Sequence, residues 1–293
     1  LVADDHKGLR IIDVSDPLHM VEVGFVDTPG QSRRVAVASE LAFIADGDAG
    51  LRVIDISTPS NPEEVGFLDT TGQAVDVAVS DNWVFVADGP GGLRVVDVSD
   101  PTQPIEISAN PYPVLAGARS LAVVDQLLFV ARDDRMEILD ITDPASPSSL
   151  GDVGKLRGVP TDIAVAGRYA HVATRSDQLS EVGGVDVFDI SDSGNPIRAV
   201  GAWDFSGDAL GLAASGESRF VAGGKYGIQI LDSRCLTTYW VELVAHQAGA
   251  HDSQWRSDVV IGWRLDTWRG GPRTCQRKTS GPRTSAVWIL HPT

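Results

Sequence analysis

Short apolar runs, not helical stripes, organise this chain. Residues 73–117 hold four of them, VDVAVS, WVFVAD, LRVVDVS and PIEISANPY, rich in β-branched and aromatic residues, with Gly, Asp, Pro and Ser between the runs. Such runs at about 8–12-residue spacing predict antiparallel strands joined by tight turns. The unit then recurs. Its third run appears as GLRIIDVSDP (8–17), GLRVIDISTP (50–59), GLRVVDVSDP (92–101), MEILDITDP (136–144), GVDVFDISDS (184–193) and GIQILD (227–232). The aspartates these share, Asp13, Asp55, Asp97, Asp140, Asp189 and Asp232, lie 42, 42, 43, 49 and 43 residues apart. A unit of about 42 residues with four strands is the pattern of a propeller blade. The prediction is an all-β chain, a β-propeller of six visible four-stranded blades.

The pattern starts inside a blade, at its second strand, and its last copy offers LGLAAS, SRFVAGG and IQILD before stopping at Cys235. The first blade is expected to lack its inner strand and the last a clear outer one. A ring of this kind normally closes by sharing strands between its first and last blades, so a truncated ring of seven stays open beside six. The Trp-Asp and Gly-His marks of the commonest propeller repeat, about 40 residues long, are missing from the corresponding positions. The runs quoted above resemble instead the LVIVD repeat, a β-propeller family of bacterial and archaeal surface proteins, over residues 1–235. The resemblance implies a secreted or cell-surface protein and carries no general catalytic assignment.

Two sets of aspartates invite a functional reading. The loop DGDAG (46–50) has carboxylates at alternate positions beside glycine, as a calcium loop does, and as a hairpin turn does. Its equivalents, DDHKG (4–8), DGPGG (88–92), RDDR (132–135), TRSDQLSEVGG (174–184) and GGKYG (223–227), keep a glycine before the third strand in five of six but not the oxygen ligands. That favours the turn. The recurrent Asp13, Asp55, Asp97, Asp140, Asp189 and Asp232 stand just before Ser-Asp-Pro or its variants. There a side-chain oxygen is expected to bond the backbone N–H two residues on.

Composition narrows the function. With 43% hydrophobic residues in 293, a sizeable core is within reach. The net charge of −16 argues against a nucleic-acid partner, whose phosphates call for clustered Lys and Arg. No apolar run approaches the roughly 20 residues of a membrane-spanning helix. Cys235 and Cys275 are too few for a disulfide framework and have no partners for a zinc site, leaving one bridge or two free thiols.

Past Cys235 the composition changes. Residues 236–293 hold five of the seven Trp and seven Lys/Arg against four Asp/Glu, so residues 1–235 carry net −19 and the rest +3. A boundary is expected near 236. The stretch YWVELVAHQAGAHDSQWRSDVVI (239–261) resembles the opening of an extracellular β-sandwich-like module of bacterial multidomain proteins. Residues 236–262 are read as the start of such a module and 263–293 as a low-order tail, Arg-, Thr-, Gly- and Pro-rich, left by a shifted reading frame or a disordered end.

In propellers of this strand order the inter-blade loops and the turns between second and third strands open on one face, around the channel mouth. TPGQSRR (28–34), TTGQAVD (70–76), LAGARS (115–120), RGVPTD (157–162) and FSGDAL (205–210) then place Gln31, Arg33, Arg34, Gln73, Asp76, Arg119, Asp162 and Asp208 near it. The 49-residue interval contains the long loop TRSDQLSEVGG, whose Asp177 and Glu181 extend an acidic rim, unless the loop is only a tolerated insertion. Such a rim would attract a cationic ligand, a basic protein surface or Ca²⁺. Apart from that ion, no cofactor is expected. His6 and His171 are the histidines within blade segments other than an outer edge, neither has a partner at meaningful spacing, and His171 stands where Phe43, Phe85 and Phe129 stand in other blades, as a packed strand residue would. No nucleophile elbow, phosphate loop or His-Glu-x-x-His motif is present. The reading is a non-catalytic recognition or scaffolding propeller whose partner is a protein or surface polymer, with an enzyme or metal-dependent hydrolase centred on the channel mouth as the competing class.

Overall fold

The computed structural model describes residues 1–16, 18–107, 115–176, 183–191, 197–204, 208–215, 218–223, 227–232, 237–245 and 257–263. Within them lie six antiparallel sheets and no α-helix. Blade 1 has β1 (Val2–Ala3), β2 (Leu9–Asp13) and β3 (Val21–Val26), without an inner strand. Blade 2 runs β4 (Arg34–Ala38), β5 (Leu41–Ala45), β6 (Leu51–Asp55) and β7 (Glu63–Leu68). Blade 3 runs β8 (Asp76–Ser80), β9 (Trp83–Ala87), β10 (Leu93–Asp97) and a short β11 (Ile105–Glu106). Blade 4 comprises β12 (Ala118–Val124), β13 (Leu127–Arg132), β14 (Arg135–Asp140) and β15 (Ser148–Lys155). Blade 5 comprises β16 (Val159–Ala166), β17 (Tyr169–Arg175), β18 (Gly184–Asp189) and β19 (Ile197–Asp204).

The sixth sheet differs from its expected shape. After β20 (Gly211–Ser215), β21 (Ser218–Ala222) and β22 (Ile228–Asp232), it gains β23 (Thr237–Ala245) as a fourth strand and β24 (Ser257–Trp263) as a fifth. The expected missing outer strand is therefore present. β23 pairs with β22 and β24 with β23, so strands on either side of the boundary expected near residue 236 belong to one sheet. Cys235, Cys275 and residues 264–293 lie outside the described residues.

Blades 2–5 carry apolar faces that neighbouring blades cover. Phe43, Ala45, Leu51 and Val53 of blade 2 pack on Val77, Val84, Val86, Val96 and Val98 of blade 3. The same contact joins Phe85, Ala87, Leu93 and Val95 to Leu121, Leu128, Val130, Leu139 and Ile141, and Phe129, Ala131, Met136 and Ile138 to Ile163, Ala170, Val172, Phe188 and Ile190. Glycine lets the sheets close up at the rim. A Cβ on Gly24 would stand 2.1 Å from the Pro59 carbonyl of the next blade, and one on Gly66 equally near that of Pro101. The recurrent aspartates behave as expected: Ser15, Ser57, Ser99, Thr142 and Ser191 donate their N–H to Asp13, Asp55, Asp97, Asp140 and Asp189 at 2.8–3.0 Å. For Asp232 the partner segment falls outside the described residues. Arg168 also bonds Asp189, and these donors hold its carboxyl down to about 2.

His171 is packed as expected, at 1% exposure, but in polar company. By register it occupies the site of Phe129, and Arg219 on β21 occupies that of Ala170, Leu128 and Val84. Arg219 Nε donates to His171 Nε2 at 3.1 Å, with Arg219 itself 3% exposed. Burial, reinforced by the Arg219 charge, pushes the His171 pKa down to about 4. The unfolded chain binds this proton near pH 6.5 and the folded one only near 4, so the pair loses stability as pH falls through that window. Replacing both partners in the manner of the other blades, His171→Phe with Arg219→Leu, should leave stability at pH 7 equal or higher and shallow the acid limb between about pH 6.5 and 4. His171→Phe alone should be destabilising. Urea unfolding at pH 7 and pH 5 checks both.

Candidate functional site: the loop face and channel mouth

The DGDAG turn settles into structure once its partners are placed. Asp46 is fully buried, and its carboxylate accepts from Thr28 Oγ1 at 2.6 Å, the Gly30 amide at 2.8 Å and Ser32 Oγ at 2.8 Å, all from the loop entering blade 2. Asp88 repeats this in blade 3, with Thr70 Oγ1 at 2.5 Å, the Gly72 amide at 2.9 Å and Arg94 Nε at 3.1 Å. These oxygens are used within the protein, which favours the turn over a cation loop. The turn tip also reaches the next blade: Asp5 bridges Ser32, Gly47 bridges Ala74 and Gly89 bridges Ala118. Arg52 and Arg94, from the GLR motif, brace the same turns from the side, reaching Glu64 and Asp69 or Glu106 at 3.1–3.6 Å.

The innermost strands bring together residues far apart in sequence. Arg34, Asp76, Ser120 and Asp162 stand at one register position, each opposite the alanine of the neighbouring second strand, in blades 2, 3, 4 and 5. Arg34 crosses the mouth to Asp162 Oδ1 at 3.1 Å and lies 4.0 Å from Asp76. Asp76 accepts the Leu121 amide of blade 4 at 2.9 Å, and Asp162 accepts the Leu212 amide of blade 6 at 2.8 Å. One network thus ties five blades. Burial pushes the Asp76 carboxyl up to about 6 against the pull of Arg34, and raises Asp162 in the same way.

The other expected residues divide by position. Gln31 is half-buried and accepts Arg33 at 2.6 Å, while its amide faces His6 Nε2 at 3.1 Å. With Pro29, Gly30, Asp48 and Ala49, His6 and Gln31 line an open cleft of about 350 Å³ between the turns of blades 1 and 2. Arg33, Gln73 and Arg119 are exposed on the same loops. Asp208 instead caps the end of β17, accepting the Ser176 amide at 2.8 Å and its hydroxyl at 2.7 Å, which hold its carboxyl below the usual range. Asp177 and Glu181 lie outside the described residues.

Sequence reasoning read Asp46 and Asp88 only as parts of turns and missed their hold on the incoming loops, as it missed the cross-mouth role of Arg34. The first two were signalled by the paired TPGQ/AD and TTGQ/AD spacings. Arg34 was visible only by aligning the inner strands in register.

Two outcomes follow for stability. Asp46→Ala strands several buried donors and should cost about 3 kcal/mol, whereas the exposed Asp48→Ala should be near neutral. Arg34→Ala leaves Asp76 and Asp162 facing each other. A raised carboxyl pKa penalises the folded state above it and is relieved below it, so the Arg34→Ala deficit should be largest at pH 8 and shrink as pH falls towards 5. Denaturant titrations across this range measure both.

The comparisons with known proteins agree on the architecture. The chain is similar in structure to the computationally designed Ika8 protein, at 14% identity and TM-score 0.57 over 83% of this chain and 71% of that one. It is also similar to BamB from Moraxella catarrhalis, a β-propeller, at 14% identity and TM-score 0.50 over 80% and 68%. No curated protein matches it. The LVIVD repeat model matches residues 1–28, 29–70, 71–109, 117–154 and 157–200, which is most of the chain and five of the six copies seen in the sequence. The chain belongs to the LVIVD-repeat β-propeller family.

Proposed function

We propose that this propeller is a non-catalytic recognition or scaffolding module of a secreted or cell-surface protein, which meets its partner through the loop face. One observation carries the reading: the buried charges at the channel mouth are engaged with one another and with backbone amides of neighbouring blades. Chemistry there would need a carboxylate or base free to face a substrate. What a partner meets is the exposed set on the surrounding loops, Arg33, Gln73 and Arg119, with Gln31 and the cleft beside His6. The partner proposed is a protein or surface polymer. The family and fold support a general binding or scaffolding role, and the exposed polar residues of the loop face support its proposed location. The described residues include no helix long and apolar enough to cross a membrane.

A triple variant, Arg33→Glu, Gln73→Ala and Arg119→Glu, should keep the wild-type melting temperature while weakening binding of an identified partner at least tenfold. Substitutions in the turns at the opposite rim, such as Glu40→Ala with Gln126→Ala, should leave binding intact. Metal analysis of the purified protein tests the competing class: a stoichiometric transition metal lost on mutation of Asp76 or Asp162 would favour a metal-dependent hydrolase.

A further inference from the structure

The outer strands of blades 1 and 2 lie in VEVGFVD (21–27) and EEVGFLD (63–69), and each exposes a phenylalanine. Register puts Phe25 opposite Arg10 and Phe67 opposite Arg52, with Glu22 and Glu64 next along the same face. The Arg10 guanidinium lies 4.6 Å from the centre of the Phe25 ring, and that of Arg52 4.8 Å from the centre of the Phe67 ring. One face of each ring is thereby taken. Both residues nevertheless stay 54% exposed. Blade 2 packs on a neighbour at each side, so the exposure of Phe67 belongs to the rim itself, and Phe25 matches it.

The carboxylates around each ring outnumber its cation. Arg10 has Asp4, Glu22 and Asp27 at 3.3–3.8 Å, and Arg52 has Asp46, Glu64 and Asp69 at 3.1–3.9 Å. One guanidinium against three carboxylates leaves each set two negative charges in excess. Asp27 and Asp69, with side chains 67% and 68% exposed, carry part of that excess at the surface. Blade 3 continues the pattern with Arg94 and Glu106 at 3.1 Å.

We propose that the outer rim of blades 1 and 2 is a docking surface for a basic segment of a protein partner, whose Arg or Lys side chains lie on the open faces of Phe25 and Phe67 beside Asp27 and Asp69. Charge complementarity selects this occupant. An aromatic face attracts a cation, and the excess carboxylate at its edge adds to that attraction. An acidic partner would be repelled, and an apolar one would have to strip water from the carboxylates without replacing it. The two sets sit one blade apart, so a single segment bearing two cations gains from engaging both. This surface uses none of Arg33, Gln73 and Arg119, and it holds or fails independently of the loop-face reading.

The probe is a fluorescein-labelled Gly/Ser peptide with interspersed arginines, and its control is the same peptide with citrulline in their place. Anisotropy at low ionic strength should show binding of the first and not of the second. Phe67→Leu keeps apolar bulk but removes the ring, and it should weaken binding about threefold; adding Phe25→Leu should make the loss about tenfold, the size of two exposed cation–π contacts. Phe67→Trp should tighten binding, since indole is the better cation platform. General attraction to an acidic protein is separated by two variants of equal charge: Asp27→Asn with Asp69→Asn should weaken binding at least fivefold, and Asp81→Asn with Asp125→Asn, in exposed turns at the opposite rim, less than twofold. Equal losses from the two pairs overturn the proposal, as does equal binding of the citrulline peptide. A Phe67→Leu protein that melts lower yet binds as before also overturns it, because the ring then only braces Arg52.

Discussion

Burial of one blade's apolar face by the next is the interaction on which this structure depends. A single blade is a four-stranded sheet with both faces apolar, and it has no helix or second layer of its own to cover either. The buried Phe, Leu and Val side chains of the blade 2–3 core, at roughly 1.5–3 kcal/mol each, contribute well over the ~1 kcal/mol of an ordinary hydrogen bond. Cohesion is therefore hydrophobic, and it passes from neighbour to neighbour. The polar groups have a different task. They fix how far each blade rotates and slides on the one before, which apolar contact alone leaves loosely specified.

Two polar devices do this at different radii. On the loop face, Asp46 and Asp88 fasten each incoming loop to the turn of its own blade, while the turn tip bridges to the following blade. Nearer the axis, Arg34 shares its charge between carboxylates of blades 3 and 5. Both devices consume side chains whose types, met in isolation, look like ligand or catalytic groups. Their burial and their amide partners are what separate a structural carboxylate from a reactive one. The surface left for recognition is the exposed part of the same loops, which the locked network holds in place.

Much of this was legible in the sequence because the fold is periodic. Runs of β-branched residues at fixed spacing gave the strands, and Asp13 and its equivalents stood where a turn needs a local acceptor. The missing inner strand of blade 1 was equally readable. What escaped had no local signature. Arg34 and Asp162 are 128 residues apart, and neither breaks the strand pattern. Arg219 carries no mark in the sequence, and its burial against His171, which stands at a phenylalanine position, shows only in the packing of blade 6 on blade 5. The outer strand of blade 6 was lost because LDSRC lacks the Ser-Asp-Pro punctuation that precedes the outer strand elsewhere, and because composition shifts at the same point. Asp76, Asp162 and Asp208 were placed near the mouth by their loops, but the burial of the first two and the engagement of all three depended on contacts between blades that one unit cannot reveal.

The claim that the mouth charges hold blades together is tested most directly by a double-mutant cycle on Arg34 and Asp162 at pH 7.5, with Arg34→Ala, Asp162→Ala and the double variant unfolded in urea. If the pair spans blades 2 and 5 as the geometry shows, the coupling energy exceeds about 1 kcal/mol. Effects that add to within ~0.5 kcal/mol, as for independent sites, would contradict it.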